Sequence, residues 1–474
     1  MQIAIIAGEA SGDRVGGQLA REIRRLRPDA HFWGAGGTHL REAGVETLVD
    51  ASRWGVVGIA SGLKILPRVL AARAGLHREL ARRKPDLIIP IDAGAFNIGF
   101  AGIQGLCPWV RAHLPQTRIL YYFPPGSWRR TLKATPLVQL ADLVATPFSW
   151  SETELTRLGA NAVFVGHPLL DLVKPTESAE TFAARYGVDR ERPLVALLPG
   201  SRAGEITHLL PVQLAAASII HRRVPGTQFL LGLAPTVDRD TVVRFVERER
   251  RERAAQTASN GPKTSGERTQ SNKGRASIPV PAEGGAPLGD TTRRQSEWIR
   301  RAAEMPPPNG DFPLAIVEAA TYDTIAAADV ALVTSGTATL ETAILGKPMV
   351  ISYKMASINK IEYQLAKARL PAHIGMPNIL AGRRIVPEFI QEAATPDALA
   401  SEVIGLLLEP ERMLRMKADL REAVSHLGEE GGAARVARLA VALAEGATPD
   451  EARVNLQAHL EQAHLERDDP RNGT

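Results

Sequence analysis

The chain has 474 residues, of which 44% are hydrophobic and 23% are charged, and its formal net charge is +5. This length predicts two to three domains of about 150 residues each, and the composition excludes a chain that is disordered throughout. The single cysteine, Cys107, excludes an internal disulfide framework and any cysteine-based metal cluster, and it favours a reducing cytoplasm. The positive charge suits anionic partners without choosing among phosphorylated metabolites, anionic lipid and nucleic acid.

The first 170 residues alternate short apolar runs with helical patterns, which predicts an α/β fold with a parallel, doubly wound sheet. The opening "MQIAIIAGEASGD" is predicted to be a strand and a turn, because a signal peptide would carry a basic region before its apolar run. No run approaches the roughly 18 uninterrupted apolar residues of a membrane span.

The turn after this first strand places Ser11 and Gly12 at the start of a helix, where a ligand could approach backbone N–H groups. A tight structural turn is an equally good interpretation. The turn lacks both the G-x-G-x-x-G and the G-K-[ST] pattern, which disfavours a dinucleotide or ATP site. The carboxylates of Glu9 and Asp13 favour hydroxyl groups over phosphate as ligands.

Residues 54–80, "WGVVGIASGLKILPRVLAARAGLHREL", set apolar side chains at helical spacing beside basic ones. This pattern fits an ordinary amphipathic surface helix and a helix lying on an anionic membrane face equally well.

The stretch "PDLIIPIDAGAFN" ends a buried-looking strand with one carboxylate, Asp92, at the sheet edge where open α/β folds place their chemistry. Further on, "VFVGHPLLD" puts His167 after a strand at the joint between two domains, where a structural or a functional role is open. The histidines lack metal-site spacing, so no bound metal is expected.

A second strand-and-helix series follows a polar joint near residues 172–191, which predicts an N-terminal domain over 1–172 and a second domain over 190–395. In "LLPGSRAGEI", Gly200, Ser201 and Arg202 open a helix in an arrangement suited to a pyrophosphate, or simply cap a turn. In "VTSGTATLETAIL", the small Ser335, Gly336 and Thr337 permit close approach, and Glu341 could accept both hydroxyls of a ribose. Two such turns on neighbouring strands point to a nucleoside diphosphate.

Residues 248–310 are rich in Arg, Ser, Gly and Pro, which favours a disordered insertion over a basic arm that contacts anionic lipid or RNA through residues such as Trp298. Amphipathic helices are predicted over 396–445, followed by a polar tail over 446–474 of which about the last 20 residues are predicted to be frayed.

Six motifs occur in order: "IAGEASGD", "VGHPLLD", "LLPGSR", "SGTATLE", "PMVISYK" and "PNILAGRRIVPEFIQE". Together they resemble lipid-A-disaccharide synthase, the inverting glycosyltransferase of family 19. The resemblance runs from about residue 1 to 440 without the insertion. It implies a GT-B architecture, in which two Rossmann-like domains face each other across a cleft and C-terminal helices cross back to the first domain.

The resemblance also implies a reaction: UDP-2,3-diacylglucosamine donates its sugar to the 6-hydroxyl of 2,3-diacylglucosamine 1-phosphate, giving a β-1,6 disaccharide and UDP. By matching motifs, Ser201, Arg202 and the 335–341 segment would hold UDP, and Asn378 of "PNIL" would line the same cleft. The implied location is peripheral, on the inner face of the cytoplasmic membrane. No cofactor and no nucleic acid are implied, and the sequence leaves a homodimer open.

The chain departs from the family at Ala95, because the usual motif reads "IDAPDFN" and its second Asp is the candidate catalytic base. Three explanations remain: Asp92 takes the proton, Glu9 or Asp13 on the adjacent turn does so, or the protein is an altered-acceptor or non-catalytic paralogue. Another GT-B enzyme of UDP-hexosamines is a further alternative. Asn97 of this motif and Ser127 of "YYFPPGSWRR" are retained and would contact substrate in the first domain.

Overall fold

The computed structural model describes residues 1–51, 59–100, 102–129, 135–259, 299, 311–354 and 372–467. The chain divides into two units, and the second is inserted within the first. Unit 1 comprises Met1–Leu172 with His426–Thr474, and unit 2 comprises Val173–Ser425.

Unit 1 contains a parallel sheet of seven strands in the order β3-β2-β1-β4-β7-β8-β9. A separate antiparallel hairpin is formed by β5 and β6. Because the order runs outward from β1 in both directions, the sheet has a topological switch point between β1 and β4, where open α/β folds bind ligands. The strands are β1 (Gln2–Ala7), β2 (His31–Gly36), β3 (Glu46–Asp50), β4 (Leu87–Ile91), β5 (Gly99–Phe100), β6 (Ile103–Gln104), β7 (Arg118–Tyr122), β8 (Leu143–Thr146) and β9 (Ala162–Phe164).

Helices cover both faces of this sheet, and each face has its own buried apolar cluster. The central strand β4 is buried along its whole length, as its uninterrupted apolar sequence predicts. The helices that precede unit 2 in the chain are α1 (Ala10–Leu26), α2 (Thr38–Glu42), α3 (Ile59–Arg83), α4 (Gly94–Asn97), α5 (Leu106–His113), α6 (Leu137–Leu140), α7 (Ser149–Arg157) and α8 (Leu169–Leu172).

Unit 2 repeats the plan with six parallel strands in the order β12-β11-β10-β13-β14-β15, so its switch point lies between β10 and β13. The strands are β10 (Leu194–Leu198), β11 (Gln228–Leu233), β12 (Leu314–Glu318), β13 (Val330–Thr334), β14 (Met349–Tyr353) and β15 (Glu388–Ile390). The described helices are α9 (Ala179–Arg185), α10 (Ala203–Arg223), α11 (Arg239–Ser259), α12 (Thr321–Ala327), α13 (Thr337–Ile344), α14 (Met376–Ala381), α15 (Pro396–Leu408) and α16 (Pro410–Ser425), with a 3₁₀ turn at Gln391–Ala393.

The chain returns to unit 1 through its last two described helices, α17 (Gly432–Ala444) and α18 (Pro449–Arg467). α17 packs on α1, and its Val436, Leu439 and Leu443 are buried in the cluster that covers one face of the sheet. The polar tail is therefore helical as far as Arg467, beyond the point where fraying was predicted to begin, and α18 places Leu456 in the same cluster. Residues 468–474 lie outside the described part.

The helix α11 also extends past the boundary at residue 248 that the composition suggested. Glutamate, arginine and alanine favour helix even where apolar residues are few, and Arg248 and Glu252 form an ion pair one turn apart. Low apolar content therefore indicated weak packing but not the loss of helix. Residues 260–298 and 300–310 of the insertion, including Trp298, lie outside the described residues.

Among the described helices, only α10 is long and apolar enough to cross a membrane by length and composition, with a mean hydropathy of 1.3. Half of that window is buried, and α10 packs on α15 and on the sheet of unit 2. We therefore interpret α10 as a core helix.

Candidate active site

Two turns of unit 1 meet at its switch point. The last residues of β1 and β4, Ala7 and Ile91, are register partners, so the turns that follow these strands leave the sheet side by side. They touch closely, since a Cβ atom built on Gly8 would lie 2.5 Å from the Cβ of Ala93. No side chain fits at position 8, and the glycine lets the two turns approach.

This approach creates a carboxylate pair, which we define as Glu9 and Asp92. Glu9 is the residue before α1, Asp92 directly follows β4, and both are half-buried. Burial, and to a smaller extent the negative charge of Glu9, together raise the pKa of Asp92 from 3.8 to about 6. A carboxylate with this pKa is a stronger base than an ordinary aspartate and still ionises near neutral pH.

The other predicted residues of these two turns take different positions. Ser11 is exposed in the first turn of α1, and Gly12 beside it is buried. Ala95 is exposed on α4 and offers no polar group. Asn97 is fully buried, and its Nδ2 donates to the backbone carbonyl of Asp92 at 3.0 Å, so this amide supports the turn from beneath.

Asp13 performs a capping function in the structure. Its buried carboxylate accepts hydrogen bonds from the backbone N–H groups of Gly37 at 2.6 Å, His39 at 2.9 Å and Leu40 at 3.2 Å, around the start of α2. Three N–H donors occupy most of the carboxylate oxygens' acceptor positions and leave little of the carboxylate for a substrate. The geometry therefore favours Glu9 and Asp92 over Asp13 as a base.

His167 and Ser127 lie buried at the same edge of the sheet. The Nδ1 atom of His167 accepts the N–H of Leu169 at 3.2 Å, and the ring contacts Phe123 and Phe148. Burial lowers the pKa of His167 to about 3, so the imidazole is neutral at physiological pH. The carbonyl of Ser127 accepts the indole N–H of Trp150 at 3.1 Å, which ties its loop to α7.

The two glycine-containing turns of unit 2 also meet at a switch point. Leu198 of β10 and Val333 of β13 are register partners, which brings the 199–202 turn beside the 335–337 turn. Gly200 adopts a φ of +122° and Gly336 a φ of +153°, both in the region that favours glycine. Ser201, Arg202, Gly336 and Thr337 are exposed, so these turns present backbone and side-chain donors to solvent.

In this structure the donors of the 199–202 turn hold an internal anion. The carboxylate of Glu205 accepts the backbone N–H groups of Ser201 at 2.9 Å and Arg202 at 3.2 Å, and it pairs with the Arg202 guanidinium at 2.9 Å. These are the groups that the sequence assigned to a pyrophosphate. The turn is thus organised to hold oxyanions, and a ligand phosphate would compete with Glu205 for the same donors.

Glu341 and Asn378 are both buried in unit 2. Glu341 lies on α13, one turn after Thr337. Its Oε1 accepts a hydrogen bond from the hydroxyl of Tyr322 at 3.1 Å. The amide of Asn378 donates to Val386 O and Glu388 Oε1 and accepts the N–H groups of Ile385 and Val386. Because both ends of this amide are engaged, Asn378 shapes the 378–388 segment and has little left for a ligand.

Sequence reasoning missed two tyrosines that interact with residues of these sites. The hydroxyl of Tyr121 donates to the carbonyl of Asp92 at 2.6 Å. Burial, and after it the nearby charge of Glu205, raises the pKa of Tyr353 at the end of β14. "RILYYF" and "PMVISYK" marked these tyrosines as strand residues only. Their places among the last two residues of a strand, near the sheet edge, were the one available signal.

The segment 54–80 is described from Ile59, and its side chains from Leu66. It forms part of α3, on which Leu70 is 36% exposed, and Arg73 donates to the carbonyl of Gln104 in the β5–β6 hairpin. Phe100 in that hairpin is 69% exposed. An apolar and basic surface of unit 1 therefore includes α3 and this hairpin, while residues 54–58 lie outside the described part.

Comparison with known proteins identifies the family. A family model described as lipid-A-disaccharide synthetase matches residues 3–261 and 302–442. The chain belongs to the lipid-A-disaccharide synthase family. It is 32% identical over 444 residues to the lipid-A-disaccharide synthase of Syntrophus aciditrophicus, covering 93% of this chain and 97% of that protein. It is 34% identical over 438 residues to that of Geobacter sulfurreducens, covering 92% and 95%.

Solved structures confirm the fold. This chain resembles Staphylococcus aureus MnaA, which was solved with UDP, with a TM-score of 0.52. The two are 11% identical, and the match covers 92% of this chain and 95% of that one. It resembles the glycosyltransferase of kitacinnamycin with a TM-score of 0.50 and 14% identity over 93% and 98%. The two Rossmann-like units and the returning C-terminal helices are thus the GT-B fold that the sequence predicted. The chain is an enzyme of the glycosyltransferase class in lipid A biosynthesis.

Proposed function

We propose that this protein transfers 2,3-diacylglucosamine from UDP-2,3-diacylglucosamine to the 6-hydroxyl of 2,3-diacylglucosamine 1-phosphate with inversion at the anomeric carbon. The products are the β-1,6 disaccharide 1-phosphate and UDP. Family membership supports the reaction class, and the carboxylate pair at the switch point of unit 1 is the observation that carries the assignment of a base.

The donor nucleotide fits the turns of unit 2. Arg202 and the N–H groups of the 199–202 turn would bind the diphosphate once Glu205 yields them, and the small residues at 335–337 would permit its close approach. Glu341, one turn into α13, has the acceptor chemistry that a ribose diol requires. Charge-assisted bonds to the leaving diphosphate would stabilise the negative charge that develops as the sugar–phosphate bond breaks.

The base belongs to unit 1. Asp92 would accept the proton of the acceptor's 6-hydroxyl as that oxygen forms a bond to C1 of the donor sugar, while the bond between C1 and the diphosphate oxygen breaks. General base catalysis contributes roughly 10²- to 10⁴-fold in rate, and it is most effective when the pKa of the base lies near the working pH. Ala95 cannot take this role, whereas Asp92, with a pKa of about 6, can.

Both substrates carry acyl chains, so we propose that the enzyme works as a peripheral protein on the inner face of the cytoplasmic membrane. The exposed Leu70 and Phe100 support this location, as does the exposed Arg68 on α3, because apolar and basic groups together favour an anionic bilayer surface.

A product assay tests the proposal. Purified protein is incubated with labelled UDP-2,3-diacylglucosamine and 2,3-diacylglucosamine 1-phosphate, and the disaccharide and released UDP are quantified. We expect equal amounts of both products from the wild type. For Asp92→Asn at saturating substrates we expect the rate to fall by roughly 100-fold or more. A wild-type rate in the Asp92→Asn variant would remove Asp92 from the role of base.

A non-catalytic UDP-sugar or lipid-binding paralogue is the second candidate, and Ala95 is the observation that favours it. It predicts calorimetric binding of UDP by the wild type with no disaccharide from this acceptor. Turnover of a UDP-hexosamine without any acylated acceptor would indicate a different enzyme of the same fold.

A further inference from the structure

The backbone that carries Asp92 has an unusual conformation. Asp92 has a φ of +47° and the following Ala93 a φ of +46°, so two consecutive residues other than glycine lie in the left-handed region. Side chains with a Cβ atom disfavour this region, and such residues persist only where surrounding contacts determine them. Ala93 is also in contact with Gly8, so this strained turn forms one wall of the carboxylate pair.

Two buried side chains hold the turn in place. The backbone carbonyl of Asp92 accepts the hydroxyl of Tyr121 at 2.6 Å and the Nδ2 amide of Asn97 at 3.0 Å. Tyr121 comes from the neighbouring strand β7, Asn97 ends α4, and neither is exposed to solvent. The N–H of Asp92 donates to Tyr122 O at 3.3 Å, so the peptide groups on both sides of its Cα atom are fixed.

We propose that Tyr121 and Asn97 are positioning residues of the base, which clamp the Asp92 carbonyl and thereby direct the Asp92 carboxylate to the place beside Glu9. This inference rests on the proposed function and deepens it. With the carbonyl fixed, the carboxylate has only its own side-chain rotations left, and a misplacement of 1 Å at a reacting group can cost roughly 100-fold in rate.

The sequence offers a matched control at the next residue. Tyr122 is as fully buried as Tyr121 but lies on the opposite face of the sheet, and no partner lies within hydrogen-bond distance of its hydroxyl among the described residues. Tyr121→Phe removes a hydroxyl that holds Asp92, whereas Tyr122→Phe removes a buried hydroxyl without that contact and keeps the backbone carbonyl that accepts the Asp92 N–H. The pair separates positioning from the general effect of losing a buried hydroxyl.

The test measures kcat, KM for both substrates and the pH dependence of kcat/KM for the wild type and the two variants. We expect kcat to fall roughly 10-fold or more in Tyr121→Phe, with KM for the donor within about two-fold of the wild type, and Tyr122→Phe to match the wild type. The acid limb should move to lower pH only in Tyr121→Phe, because a loosened carboxylate becomes better solvated. The groups near it that titrate or carry charge are Glu9 and Tyr121, and Tyr121 in turn interacts with Cys107.

Asn97→Leu provides a second variant of similar volume that lacks the other donor, and thermal unfolding identifies any variant that fails to fold. A reduced kcat in either clamp variant with a shifted acid limb supports the inference. Equal rates in Tyr121→Phe and Tyr122→Phe, with an unshifted limb, overturn it while the proposed function stands. Absence of product from the wild type overturns the proposed function and this inference together.

Discussion

At the scale of single residues, the proposed base Asp92 lowers the stability of the fold above its pKa and has the basicity that the proposed reaction needs. Asp92 is half-buried beside another carboxylate, so its ionised form is less stable in the folded protein than in the unfolded chain. Because its pKa rises from 3.8 to about 6 on folding, its favourable contribution to stability is complete below pH 3.8 and is lost as the pH rises through about 6. Above pH 6 the native residue therefore destabilises the fold.

Asp92→Asn should consequently be more stable and less active. We expect its free energy of unfolding at pH 8 to exceed that of the wild type by about 1 to 3 kcal/mol, with the difference shrinking towards pH 4. Asparagine tolerates the left-handed backbone at this position, so the substitution adds no strain. Thermal unfolding at several pH values measures the effect.

Asp13→Asn is the control, because its carboxylate caps α2 through three N–H groups. It should lose about 1 to 3 kcal/mol of stability and leave the acid limb of the rate profile in place. A gain in stability from Asp13→Asn, or none from Asp92→Asn, would contradict this division of roles.

Glu205 leads to a second prediction at this scale. Its carboxylate occupies the donors of the 199–202 turn, so a diphosphate must displace a like charge. Glu205→Gln keeps an oxygen that can accept the Ser201 N–H and removes the charge. We expect UDP to bind roughly 5-fold more tightly by calorimetry, while uridine, which carries no phosphate, binds with unchanged affinity.

Asp397→Asn, at the exposed first turn of α15, is the matched variant that should leave UDP affinity as it is. Weaker UDP binding in Glu205→Gln would show that the carboxylate organises the turn for the ligand and does not compete with it.

At the scale of helices and strands, α17 completes the core of unit 1 from the far end of the sequence. Leu439 is fully buried in the cluster that contains Leu19 and Ile23 of α1. Leu439→Ala should cost about 2 to 5 kcal/mol and should raise the hydrogen-exchange rate of α1 amides. Leu414→Ala, at a 45% exposed position on α16 in unit 2, should stay within about 0.5 kcal/mol of the wild type. Unchanged exchange in α1 would show that α17 does not stabilise it.

The strands and helices illustrate how far the sequence alone leads. It located both pairs of switch-point turns, because the residue after a buried parallel strand lies at the carboxyl edge of its sheet whatever the rest of the fold does. It did not reveal that Asp13 caps α2 or that both ends of the Asn378 amide are engaged, since those partners are set by tertiary structure. It underestimated the extent of helices α11 and α18. A polar composition does not prevent helix formation where a few apolar residues, such as Leu456, are buried in a core.

At the scale of the whole molecule, two Rossmann-like units divide the proposed reaction between them. The turns of unit 2 suit a nucleoside diphosphate, and unit 1 holds the proposed base and the exposed apolar residues of α3 and the hairpin. This division predicts that membrane attachment and donor binding respond to different substitutions.

Phe100→Ser tests that separation. Removing one exposed Phe from the proposed bilayer-facing surface should weaken binding to vesicles of anionic phospholipid roughly 10-fold or more, as measured by co-sedimentation, and leave UDP affinity unchanged. Val454→Ser, at a 65% exposed position on α18, is the comparison and should bind vesicles like the wild type. Equal vesicle binding by all three proteins would contradict the proposed role of Phe100 in membrane attachment.

The pH dependence of kcat/KM for the wild type and Glu9→Gln tests most directly whether the carboxylate pair supplies the base that Ala95 cannot. For the wild type, we expect a rate that rises with pH through an apparent pKa of about 6, because the base must be ionised. In Glu9→Gln this limb should move to lower pH, since the charge that raises the pKa of Asp92 is gone. A profile that is flat from pH 5 to 8, or an acid limb that stays in place in Glu9→Gln, would contradict the assignment of the base to this carboxylate pair.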